Sequence, residues 1–178
     1  MPAPLDIVTM PAAAFRRKGP IGRYLKKTFG PALLAQSVSL AAVDHFSRRP
    51  SAWSQGPDGY GRRFARVFGR FAAEGAITMA MGAALGQASD SARCECSGGL
   101  RRLGHALTST VMARTSSGGR TVDAARVAGV YGGAMVATTW QPGATAMGGL
   151  RSGSLSLGAV AAINVAREFW PDLKRAFR

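Results

Sequence analysis

A chain of 178 residues, 47% hydrophobic and 18% charged, is long enough for one domain with a sizeable core, and nothing in it demands a second. Its 23 Lys and Arg against 9 Asp and Glu leave a net charge of +14, which favours an anionic partner, either a phospholipid surface or nucleic acid. The two cysteines, Cys94 and Cys96, lie one residue apart, which excludes a disulfide framework, and with no histidine nearby they do not complete a zinc site.

Residues 1–20 hold four prolines and no hydrophobic period, so they read as an extended or disordered lead-in to a single helical domain over 21–178. They lack the charged segment and apolar core of a secretory signal, which leaves a cytoplasmic protein or a chain that starts after its signal. A helix is expected near Ile21, interrupted at Gly30-Pro31. From Pro31 the run ALLAQSVSLAAVDHF predicts a second helix, closed before Pro50. The stretch PSAWSQGPDGYG over 50–61 is dense in turn formers and reads as a loop.

A long helix follows from Arg62 to about Gln87. Its second half, FAAEGAITMAMGAALGQA from Phe71 to Ala88, is built from small and apolar residues, and on a helix Gly75, Gly82 and Gly86 fall within roughly 40° of one another. That is a flat groove of the small-xxx-small kind against which another helix can lie. Its apolar part, roughly 17 residues or about 26 Å, is marginal against a hydrocarbon core of about 30 Å. Next, LRRLGHALTSTVMART predicts an amphipathic helix from Leu100, with a β-hairpin around Ser-Gly-Gly at 117–119 as the competing reading. Thr121 or Asp123 caps a further helix in which Gly129 and Gly133 form a GxxxG pair. A glycine-rich loop, QPGATAMGGLRSG, then leads to a last helix with Gly158 on a third small-residue face, broken or kinked at Pro171. The expected fold is therefore all-α, a bundle of four to six helices with Ala/Gly packing.

Glu74, Arg126 and Asn164 are polar groups embedded one in each of the three small-residue helices. The expectation is a buried pair between Glu74 and Arg126, with Asn164 supplying a hydrogen bond. The basic residues cluster at the ends of apolar runs, Arg62, Arg63, Arg66 and Arg70 before one and Arg101 and Arg102 before another, as anionic headgroups would attract. Catalytic chemistry has little support. His45 and His105 are the only histidines, and no strand-turn-helix G-x-S-x-G context accompanies them. Asp90 with Glu95, and Glu168 with Asp172, read as salt-bridge carboxylates in so basic a chain. Gly98-Gly99 and Gly118-Gly119 lack the spacing of a P-loop. No residue is assigned to catalysis, a cofactor or a metal.

Several motifs stand out from about Phe29 onward: Trp53-Ser54-Gln55-Gly56 followed by Gly59-Tyr60-Gly61-Arg62-Arg63-Phe64, Gly98 to Leu107 with Arg102 and His105, and Ser117-Gly118-Gly119-Arg120-Thr121. The most specific are Asn164 and Glu168-Phe169-Trp170-Pro171-Asp172. In these motifs, over most of its length, the chain resembles an uncharacterised family of helical proteins found largely in acidobacteria. The chain departs from similar proteins at Gln87 to Arg93, where they carry a Glu-Asp-Pro-Arg-Tyr type of loop. Similar sequences often begin with a secretion signal, so the resemblance implies a cell envelope; it implies no activity or cofactor. Together these readings give a membrane- or envelope-associated structural protein that touches anionic surfaces through its basic helix flanks, with glycine faces available to protein partners or a second copy. A soluble basic module binding nucleic acid or another anionic polymer is the alternative.

Overall fold

The computed structural model describes residues 19–88, 98–115 and 119–176. Helix α1 (Pro20–Thr28) and helix α2 (Pro31–Phe46) each open on a proline, whose fixed φ and missing N–H suit a first turn. Helix α3 (Pro57–Leu85) is the central element, touching α1 and α2 and, most extensively, helix α5 (Ala124–Thr138). Helix α6 (Ala146–Ala176) lies against α5 and against helix α4 (Gly99–Val111). Among the described residues the fold is all-α, six helices packed on one another, with one small sheet.

Helix α3 begins five residues before the expected Arg62. Pro57 stands in its first turn and Asp58 pairs with Arg62 across one turn at 3.1 Å, so the Pro-Asp-Gly signal starts a helix and not a turn. Gly59 is needed inside it, since a β-carbon there would lie 1.9 Å from the Ser54 carbonyl oxygen. At the other end Gly86 takes φ 59 and stops the helix as a left-handed cap.

Both readings of the 100–122 segment are partly realised. Helix α4 stops at Val111, and strand β2 (Met112–Thr115) then pairs antiparallel with strand β3 (Arg120–Val122). Strand β1 (Gln87–Ala88) adds to the other edge of β2, giving the order β1-β2-β3. Asp123, fully buried, caps α5 by accepting the Arg126 N–H at 2.8 Å, whereas Thr121 lies within β3.

Glycine packing occurs, with different partners from those expected. Gly129 and Gly133 of α5 lie on the α3 backbone: an added β-carbon would stand 2.8 Å from the Glu74 carbonyl oxygen at Gly129 and 2.9 Å from the Arg70 carbonyl oxygen at Gly133. Gly75, Gly82 and Gly86 do not form one groove. Gly75 faces the Tyr24 ring of α1, Gly82 faces the Gln87 carbonyl and Ala125, and Gly86 is the exposed cap. Gly158 meets nothing within 4 Å; α6 approaches α5 through Gly149 against Met135 and Gly153 against Tyr131. Those two glycines fall in the segment expected to be a loop, which is helical from Ala146, with Thr145 Oγ1 accepting the Gly148 N–H at 3.1 Å. The helix continues through Pro171 to Ala176. Among the described residues no helix is long and apolar enough to cross a membrane, so the Phe71–Ala88 run is not a span. The lead-in up to residue 18, the loop carrying Cys94 and Cys96, and Gly118 lie outside the described residues.

Candidate anion-binding site

The arginines of α3 do not form the solvent-facing patch expected of them. Arg63, Arg66 and Arg70 are spaced i, i+3 and i+7, which puts them on one helical face, and that face points into the protein. Arg62 stays outside with Asp58.

Arg63 is fully buried. Its five N–H groups meet five backbone carbonyls: Nε donates to Arg49 (2.9 Å), Nη1 to Ser54 (2.8 Å) and Gly59 (2.9 Å), and Nη2 to Pro50 (3.2 Å) and Trp53 (3.3 Å). The Trp53 ring lies 5.9 Å from the guanidinium carbon. The loop joining α2 to α3 is thus wound around a cation, which removes Arg63 from any surface role.

Arg66 and Arg70 reach into a cleft of about 470 Å³ enclosed by α2, α3, α5 and the first turns of α6. Arg66 pairs through Nη2 with Asp44 and donates through Nη1 to Gln141 Oε1 at 2.8 Å. Arg70 donates to Ser152 Oγ at 2.9 Å, to the Ser152 carbonyl at 3.2 Å and to Ser156 Oγ. Its partners are hydroxyls and a carbonyl, and among the described residues it forms no salt bridge. Burial lowers its affinity for the proton, Glu74 one turn away raises it, and Arg66 lowers it again. The Nε atoms of both arginines are buried and make no hydrogen bond among the described residues. Thr145, Gly148 and Gly149 bring the amino end of α6 to the same cleft, while Val67, Phe71, Ala134 and Ala137 give it an apolar wall.

Arg102 is also engaged. It donates to the Glu168 carbonyl, lies 3.3 Å from Glu168 Oε1 through Nε, pairs with Asp172, and stacks over Phe169 at 4.8 Å. Glu168 and Asp172 therefore serve as salt-bridge carboxylates, and of the two α4 arginines Arg101 alone is exposed.

The expected Glu74–Arg126–Asn164 cluster separates. Arg126 pairs with its own helix cap, Asp123, at 3.2 Å and donates to the Thr110 carbonyl at 3.2 Å; Asn164 Nδ2 donates to Thr110 Oγ1 at 3.0 Å. The two meet at the end of α4, without Glu74. Glu74 instead lines a second cavity, between α1 and α3, together with Arg23, Tyr24 and Lys27. Burial pushes its carboxyl above the ordinary value, and the charges of Arg70, Lys27 and Arg126 offset part of that rise. No ion pair joins it to Arg126, because Asp123 is nearer in sequence and already holds that guanidinium.

Sequence reasoning missed the Arg66–Arg70 cleft because it read four nearby arginines as one exposed cluster. Their i, i+3, i+7 spacing, shared with Phe71 and Val67 on neighbouring positions, was the available signal. No protein-family model matches the chain, and no curated protein and no solved structure matches it.

Proposed function

We propose that this chain is a non-catalytic structural protein that attaches peripherally to an anionic membrane surface. The observation that carries this reading is the outward face of α2. The sixteen residues of that helix include one carboxylate and one imidazole, and both turn inward: Asp44 to Arg66, and His45 to the Tyr60 ring at 5.7 Å. What remains outside carries no charge: Leu34, Val38, Leu40, Val43 and Phe46 are exposed, Phe46 by 84%, with Ala32, Ala35, Gln36 and Ser39 beside them. A helix without charge on its outer face is suited to an apolar partner or the acyl boundary of a bilayer.

Charge favours the bilayer. Exposed Lys26 and Lys27 precede α2 and exposed Arg48 and Arg49 follow it, so the apolar face is bracketed by cations. Ile21 and Leu25 of α1, and Phe29 just after it, are exposed beside Arg23 and the two lysines, the pattern of a helix lying in the interfacial plane. An envelope location comes from the family resemblance alone.

Flotation with vesicles tests the reading. The protein should rise with vesicles containing phosphatidylglycerol and stay behind with pure phosphatidylcholine, and Phe46→Glu combined with Val38→Glu should abolish the effect. Absence of flotation on every vesicle, with retention on DNA that falls steeply between low and physiological salt, would replace it by the nucleic-acid reading.

A further inference from the structure

We infer that the Arg66–Arg70 cleft is a binding site for a phosphate group, held by the two guanidinium groups beside the amino end of α6. The site does not depend on where the protein resides.

The donor balance points to an anion. Asp44 supplies one carboxylate to a cleft lined by two guanidiniums. Arg66 uses one N–H of each Nη on Gln141 and Asp44, and Arg70 turns to Ser152 and Ser156. That leaves one unused N–H on each Nη of Arg66 and one on Nη1 of Arg70. A guanidinium offers a planar fork that fits two oxygens of one tetrahedral anion, and a charge-assisted bond of this kind is stronger than the neutral Arg70–serine bonds it would replace.

The surroundings choose among anions. Gly148 and Gly149 stand in the opening turn of α6, at the positive end of the helix dipole, with their own N–H groups held by Thr145. Thr145 Oγ1, already bound to the Gly148 N–H, adds a hydroxyl at the same edge. Two arginines, a hydroxyl and a glycine-bearing helix end are a phosphate set more than a halide one. The volume of about 470 Å³ exceeds what a bare phosphate needs, and the wall of Val67, Phe71 and Ala134 suits an organic substituent. The phosphate is therefore that of an ester, carried by a soluble metabolite or by a lipid headgroup.

Nuclear magnetic resonance on the full ¹⁵N-labelled chain tests this with two probes, glycerol 3-phosphate and dihexanoyl phosphatidic acid below its micellar concentration. Either probe should produce saturable shifts confined to the arginine Nε–H signals of Arg66 and Arg70 and the amides of Gly148 and Gly149. Saturation by both probes marks a soluble phosphate ester as sufficient, and saturation by the lipid alone marks a headgroup with its apolar part. Arg70→Gln should weaken binding about tenfold or more. Should that variant fail to fold, the map on the native chain still decides. Shifts that never saturate, that spread over surface lysines and arginines, or that persist unchanged in folded Arg70→Gln would overturn the site. Such a failure leaves vesicle flotation untouched, since α2 and not the cleft carries that reading.

Discussion

Gly129 lies so close to Thr78 that a β-carbon on the glycine would stand 1.9 Å from Thr78 Oγ1. This contact, with that of Gly133 on Glu74, fixes the distance between α5 and α3. Gly129→Ala and Gly133→Ala should each destabilise the protein by about 2–3 kcal/mol, because behind the Thr78 hydroxyl and the Glu74 side chain stand the Glu74 and Arg70 carbonyl oxygens of the α3 backbone, which cannot turn aside. Gly158→Ala should do the reverse, stabilising by about 0.5–1 kcal/mol, as it removes backbone entropy in a helix where the new methyl meets nothing. Urea midpoints of the three variants check the contrast.

Arg63→Lys should be nearly as damaging as Arg63→Ala, with losses of about 3–5 kcal/mol. An ammonium offers three donors from a point where the loop and the first turn of α3 present five acceptors to a planar group. Equilibrium unfolding followed by Trp53 fluorescence reads it, since the ring lies over the guanidinium.

Ser37 presents the opposite case. It is fully buried and its Oγ has no partner among the described residues. Ser37→Ala removes an unsatisfied hydroxyl and should raise stability by about 1 kcal/mol in thermal unfolding.

Glu74→Gln should stabilise the protein at neutral pH. Because burial raises the native pKa above the ordinary value of about 4.5, the native state keeps a proton that the unfolded chain releases just above that pH. Stability then falls as pH climbs through the window, and the ionised carboxylate is a cost above it. Thermal midpoints of variant and native chain should differ at pH 7 and converge below about 4.5.

Arg102→Gln should loosen the end of α6 while leaving the α3–α5 contact intact. Hydrogen exchange should quicken over 168–176, where Arg102 holds Glu168 and Asp172, and stay unchanged over 124–138.

The helical class, the proline that opens α2, an α5 cap at Thr121 or Asp123 and the Gly129–Gly133 pair were all legible, because each rests on local chemistry or on a period of one helix. Partners were not. Whether Gly75 meets α5 or α1, or Arg126 meets Glu74 or Asp123, depends on how helices are ordered in space, and identical small-residue patterns on α3, α5 and α6 leave that order open. Gly149 and Gly153 were missed since glycine density reads as loop until a neighbour such as Tyr131 is seen to need the room. The cleft was hidden by the usual exposure of arginine, which fails where carbonyls, hydroxyls and Asp44 are at hand.

The ring of carbonyls around Arg63 also bears on how the chain folds. Its acceptors lie between 4 and 14 residues before the arginine, so the whole unit closes within one short stretch. The Arg66–Gln141 and Arg70–Ser152 bonds span 75 and 82 residues and must wait for α5 and α6. Closing a short loop costs less chain entropy than closing a long one, so the α2–α3 elbow is expected to form before the glycine seam.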